Sequence, residues 1–173
     1  MIHGRFQPFH NGHLDYVLSG FMKCEQLVIG ITNPDAVEFI PEETSEHRHK
    51  AESNPFSFFQ RSEMIKQSLF DEKIDLNQIT IIPFHVFHPV QWKYYLPSPA
   101  AVTHFMRIFS DWELKKIEWL KEYGFSVIVI DDGVKKIITG TEVRKRMLLN
   151  TNWQELVPNG TVRTIEKIRA NKI

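Results

Sequence analysis

Residues 12–32 read GHLDYVLSGFMKCEQLVIGIT, and within them one periodicity gives way to another. Leu14, Val17, Leu18 and Phe21 fall at i, i+3, i+4 and i+7, the spacing of one helix face, so a helix opens near Gly12 and runs to about Phe21. The run LVIGIT at 27–32 is short and apolar and reads as a buried strand. The same exchange repeats outward. Met64, Ile65 and Leu69 return to helical spacing, and ITIIPFHVF at 79–87 reads as a strand that becomes irregular towards Pro89. A further strand is predicted at 105–109, a helix through Leu114, Ile117 and Leu120 to near Gly124, and the clearest strand of all, FSVIVI, at 125–130. Two helices close the chain, one opening at Thr141 and one after Gly160. Strands alternating with helices predict an α/β architecture, doubly wound around a mostly parallel five-stranded sheet. Only Met1 to His3 precede the first motif, so either the first strand is short or the assigned start lies inside a longer gene product.

Two segments stand outside this alternation. Residues 34–55 carry proline at both ends, five glutamates and the cluster His47-Arg48-His49-Lys50, which reads as a long loop, functional or mobile, with His47 and His49 solvated. Residues 91–99 hold Trp92, Tyr94, Tyr95 and two prolines and read as an aromatic-lined loop.

The totals bound the function. A length of 173 residues fits one domain spanning 1–173, and 42% hydrophobic residues are enough for a buried core. Twenty-one basic residues balance twenty-one acidic ones, which argues against a protein built to hold long nucleic acid. Cys24 is the only cysteine, so neither an internal disulfide nor a four-thiolate zinc site can form. No apolar run is long enough for a membrane span, and a cytoplasmic protein is expected.

The chemistry is carried by two strand-to-helix junctions, where ligands of open parallel sheets bind. The first is GRFQPFHNGH at 4–13. A helix starting there points free N–H groups and its positive dipole end at an anion. Gly12 lets backbone approach a phosphate, His10 and His13 can donate to phosphate oxygens, and Arg5 adds fixed positive charge. A bare His-x-x-His is more often a pair of surface or capping residues, and a zinc reading lacks a third ligand. The second junction is ITGTEVRKRM at 138–147. Thr139 or Thr141 caps a helix, Gly140 allows the tight entry, and Arg144 falls one turn in, so an anion would meet amides, a hydroxyl and a guanidinium together.

The complete first string resembles the phosphate-binding signature of the HxGH nucleotidyltransferase superfamily, in the GRFQPxHxGH form of the archaeal-type nicotinamide-nucleotide adenylyltransferases. ITGTEVR resembles the superfamily's second signature, (I/Y)S(S/G)TxxR, with Thr139 in place of the usual serine. The resemblance implies a single Rossmann-like domain. It implies that His10 and His13 hold the NTP phosphates and stabilise the pentacoordinate α-phosphorus, with Arg144 completing the catalytic set. Gly4, Arg5, Phe6, Gly12, Thr139, Gly140 and Thr141 would line the nucleotide phosphates. Asn54-Pro55-Phe56 followed by Arg61 is similar to the family's NPF…ER element, with Gln60 for the usual glutamate, and implies that Asn54 and Arg61 reach the acceptor. Trp153, Leu156, Val157 and Pro158 resemble the family's W-x-x-L-(V/L)-P ending. Trp92 matches a tryptophan that stacks on nicotinamide, but Pro89 stands where that family has an asparagine reading the carboxamide.

The expected reaction is AMP transfer from ATP to nicotinamide mononucleotide, giving NAD and pyrophosphate, with Mg²⁺ on the NTP phosphates and no protein metal site. The alternative is CMP or AMP transfer, from CTP or ATP, to another small phosphate or phosphonate. A silent nucleotide-binding regulator is disfavoured, because both signatures are intact. The shortness of the chain and the absence of a KMSKS-like loop set aside the class I tRNA synthetases. Neither nucleic acid nor membrane is an expected partner, and the sequence leaves open whether the chain forms a homo-oligomer.

Overall fold

The computed structural model describes residues 1–35, 51–130 and 137–171. Its strands are β1 Ile2–Gly4, β2 Leu27–Thr32, β3 Ile79–Phe84, β4 Thr103–Met106 and β5 Ser126–Val129. The helices are α1 Asn11–Phe21, α2 Phe58–Asp71, α3 Trp92–Tyr95, α4 Asp111–Glu122, α5 Gly140–Leu149 and α6 Asn159–Arg169. Among the described residues no helix is long and apolar enough to cross a membrane.

Every strand pairing is parallel, but the five strands form two hydrogen-bonded sets, β1-β2-β3 and β4-β5, where one continuous sheet was expected. The sets meet along β1 and β4, where the Phe105 N–H donates to the Met1 carbonyl at 2.8 Å. The strands therefore lie in the order β3-β2-β1-β4-β5, and β1, only three residues long, is too short to carry a full ladder on both sides. The order reverses between β1 and β4, so the crevice of the fold opens beyond their carboxyl ends.

Side chains alternate between two cores, as strand geometry requires. Ile2, Leu27, Ile29 and Ile31 face one side and pack with Val17 of α1, Ile65 of α2 and Ile165 of α6. Met1, Phe84 and Met106 face the other and pack with Ile117 and Leu120 of α4. Helices α2 and α6 meet closely, because a Cβ on Gly160 would lie 2.3 Å from the Ser68 amide nitrogen. Trp153 and Val157, from the W-x-x-L-V-P ending, are buried in the first core.

Three expectations shift. The strand predicted at 105–109 lies at Thr103–Met106, since Arg107 turns away to pair with Asp15. The strand predicted at 79–87 stops at Phe84. The aromatic loop at 91–99 contains α3, launched from a turn over Pro89–Gln91 in which proline occupies a position needing no donor. Most of the loop predicted at 34–55, with His47 and His49, lies outside the described residues.

Candidate active site

The segment leaving β1 turns sharply. Phe6 adopts φ +53°, a conformation rare for a bulky side chain. Gly4 accommodates the fold-back, because a Cβ there would lie 2.8 Å from the Phe6 ring. That ring is fully buried and packs edge-to-face beneath the His13 imidazole, with centroids 5.0 Å apart. Phe6, expected at the phosphates, thus acts here as the support under His13.

His10 is the N-cap of α1, and the two histidines close a reciprocal box. The His13 N–H donates to His10 Nδ1, and the His10 N–H donates to His13 Nδ1, both at 3.3 Å. The rings stack at 3.5 Å, and Gly12 leaves room for them, a Cβ there lying 3.3 Å from the His10 ring. A nitrogen that accepts a hydrogen bond carries no proton, so in each neutral ring the Nε2 is the protonated donor. The pair offers two N–H donors at the positive end of a helix.

The second junction comes to the same place. Thr139 caps α5, its Oγ1 accepting the Glu142 N–H at 3.1 Å. Arg144 donates from Nη1 to the Gln7 carbonyl at 2.7 Å and from Nη2 to Thr141 Oγ1 at 3.2 Å. Burial pulls its guanidinium below the usual arginine range. Gly140 is where the two segments touch, since a Cβ on it would meet the Gln7 oxygen at 2.7 Å. The Gln7 side chain in turn pairs with the backbone of Phe56, donating to its carbonyl at 2.8 Å and accepting its N–H at 3.1 Å.

These elements enclose a cavity of about 440 Å³ at the carboxyl ends of β1, β2 and β4. Gly4, Arg5, Phe6, His10, Gly12, His13 and Gly140 all line it.

The acceptor set is placed differently. Arg61 is 1% exposed and donates to four backbone carbonyls: Arg5 and Thr32 at 2.8 Å, Asn33 at 2.9 Å and Ser57 at 3.2 Å. Burial first, then the neighbouring Arg5 charge, hold its pKa down to about 10. Its guanidinium ties the exits of β1 and β2 to the start of α2. Gln60 fills a capping box with Ser57, so glutamine there serves the helix start. Trp92 is 2% exposed and lies in the second core, its indole N–H donating to the His85 carbonyl at 2.9 Å. Neither Arg61, Trp92 nor Asn54 lines the cavity.

Sequence reasoning missed the far wall. Arg107 at the end of β4, with Trp112, Glu113 and Lys116 of α4, lines the same cavity. Its only signal was the spacing of 112, 113 and 116 on one face of a helix that otherwise reads as solvated.

A parallel α/β fold here brings two helix N-termini to one switch-point cavity, an arrangement suited to an anionic ligand. The chain belongs to the cytidylyltransferase-like family, whose sequence pattern matches residues 1–172. It is 34% identical over 176 residues to the phosphonoformate cytidylyltransferase of Streptomyces viridochromogenes, covering 98% of this chain and 95% of that protein. It is 32% identical over 168 residues to the nicotinamide-nucleotide adenylyltransferase of Thermococcus sibiricus, covering 96% and 82%. The corresponding enzyme of Saccharolobus solfataricus is 30% identical over 170 residues, covering 98% and 90%. Among solved structures, a bifunctional NMN adenylyltransferase/ADP ribose pyrophosphatase from Francisella tularensis superposes with a TM-score of 0.67 at 20% identity. That match covers 98% of this chain and 48% of the larger protein, and it speaks for the fold. The protein is a nucleotidyltransferase.

Proposed function

We propose that this enzyme moves a nucleoside monophosphate from an NTP to a small phosphorylated acceptor and releases pyrophosphate. The observation that carries the reading is the Arg144–Gln7 hydrogen bond, which brings the start of α5 against the segment leading into α1. An acceptor phosphate oxygen attacks the α-phosphorus in line, a new P–O bond forms, and the bond to the β-phosphate oxygen breaks. The acceptor is already an anionic nucleophile, so the protein's task is positioning and charge neutralisation. His10 and His13 donate from Nε2 to the α-phosphoryl oxygens as charge gathers there. Arg144, Thr141 and Arg5 hold the departing pyrophosphate, and the Thr139 cap keeps the α5 amides aimed at it.

Mg²⁺ is the metal we propose. Among the described residues no group of three His, Cys, Asp or Glu side chains could hold an ion. Asp15 and Glu113, the carboxylates of the cavity wall, are engaged by Arg107 and Lys116. With those carboxylates engaged, such an ion would be held by the triphosphate itself and would supply charge neutralisation for the leaving group.

Two donor–acceptor pairs are supported. AMP transfer to nicotinamide mononucleotide, giving NAD, is supported by the archaeal relatives. CMP transfer to a small phosphonate is supported by the Streptomyces relative and by one structural observation. The tryptophan that would stack on nicotinamide is packed between Phe84, Tyr123 and Phe125, its indole N–H already donating to His85. Pyrophosphate release with ATP or CTP, against nicotinamide mononucleotide and phosphonoformate, tests both pairs. Rapid release with ATP and the mononucleotide selects the first, and release only with CTP and the phosphonate selects the second. No release from any combination would sink the transferase reading.

A further inference from the structure

The cavity has two ends of different character. At the phosphate end stand the α1 and α5 N-termini with His10, His13 and Gly140. The opposite wall, from β4 and α4 with Asp15 of α1, pairs opposite charges among the described residues. Arg107 is paired with Asp15 at 2.8 Å, and Lys116 lies 3.7 Å from Glu113. Glu113 also accepts the Ser110 hydroxyl proton at 2.8 Å. The side chains of Lys116 and Glu113 are 13% and 14% exposed, so both are largely desolvated where they face the cavity.

A wall for a second anion would present cations without nearby carboxylates. This wall sets a hydrogen-bond donor beside an acceptor, next to flat apolar surface. The Trp112 ring, stacked on Phe87 at 5.3 Å, forms part of it, and Phe109 and Ile137 stand at the mouth with 41% and 91% of their surface exposed. An uncharged planar heterocycle whose edge offers a donor next to an acceptor fits such a surface.

We propose that Glu113 and Lys116 read the base of the NTP and select bases whose edge sets a 4- or 6-amino group beside an unprotonated ring nitrogen. A carboxylate only accepts and an ammonium only donates. Adenine and cytosine both present an amine next to a ring-nitrogen acceptor, so the amine donates to Glu113 and the ring nitrogen accepts from Lys116. Uracil and guanine present a carbonyl next to a ring N–H, the reverse order, which sets oxygen against carboxylate and N–H against ammonium. The selection rests on the nucleotidyltransferase reading of this cavity and holds for either donor, ATP or CTP.

CTP and UTP differ only at this edge, which makes them the probe pair, with ATP and GTP as the second. Binding of each to the full chain is measured by titration calorimetry in Mg²⁺, and pyrophosphate release is measured separately. The expected result is roughly 10-fold or greater preference for CTP over UTP and for ATP over GTP. Glu113→Gln, whose amide can accept or donate, should bring the CTP:UTP ratio towards one by gaining on UTP. Equal binding of CTP and UTP by the wild type, or a Glu113→Gln loss shared equally by all four nucleotides, overturns the proposal. Should that variant fail to fold, the wild type is titrated with the triphosphate of pyrimidin-2-one riboside, which lacks the amine. Binding weaker than CTP by a similar factor supports the proposal, and equal binding overturns it. Base-selective binding without pyrophosphate release would sink the transferase reading and leave base reading intact; release without base selectivity does the opposite.

Discussion

The Arg144 guanidinium donates to the Gln7 carbonyl at 2.7 Å across 137 positions of sequence. The same fork reaches Thr141 Oγ1 at 3.2 Å, so one planar group fixes both the start of α5 and its distance from the loop that follows β1. Arg144→Met removes this tie together with the charge proposed to meet the leaving group. Turnover should fall by about 100-fold or more, the scale of one preorganised transition-state donor. Arg144→Lys should recover only a small part, because an ammonium cannot span both oxygens. Full recovery by lysine in a pyrophosphate-release assay would show that charge alone matters.

His13 is placed by Phe6 below it, by His10 stacked on it and by the backbone bond to its Nδ1. His13→Ala should lose at least ~100-fold in turnover. Because His13 also completes the α1 cap, the variant should lose about 1 kcal/mol of stability as well, measured by urea unfolding. A near-normal rate in the folded variant would remove His13 from the mechanism.

Arg61 is predicted to matter for stability before it matters for binding. Replacing it with methionine leaves four backbone carbonyls without the donor that holds them. The expected cost is about 3–5 kcal/mol, that of breaking a buried charged network from one side. The urea midpoint should fall, and Arg61→Lys should not restore it. A stable variant with raised KM for the acceptor alone would return Arg61 to the substrate-contacting role implied by its NPF…ER resemblance.

The contrast between Arg61 and Arg144 explains what could be read from sequence. Cap chemistry is local, so the helix starts at Asn11 and Gly140 followed from Gly12, Thr139 and Thr141 within a residue or two. A short apolar run is also local, and all five strands were legible, although β4 ends earlier because Arg107 leaves it for Asp15 on α1, a partner 92 positions away. Burial is not local. Nothing around Trp92 tells a ring lining a loop from one packed against Phe84, Tyr123 and Phe125. The far wall was hidden for the converse reason: Glu113 and Lys116 are charged residues on an amphipathic helix, a pattern that ordinarily faces solvent.

His3 and His104 make the acid side of the stability curve the last test. Their rings sit 5.9 Å apart on adjoining strands, and His3 Nδ1 and both nitrogens of His104 have no partner among the described residues. Burial holds His104 down to about 3 and His3 well below its usual value, with the Lys116 charge adding to the effect on His3. In the unfolded chain each ring takes a proton as pH falls through about 6.5, whereas the folded ring stays neutral. The unfolded state then binds more protons, so stability is full above about 6.5 and is lost progressively below it, until His104 protonates in place near 3. Each ring contributes up to about 1.4 kcal/mol per pH unit, or about 2 kcal/mol between pH 6.5 and 5. His104→Phe keeps the ring's shape without the titrating nitrogens. Urea unfolding at pH 7.5 and 5.0 should show a smaller acid loss in the variant than in the wild type, by about that 2 kcal/mol. Parallel losses in both proteins would place the acid sensitivity in groups other than His104.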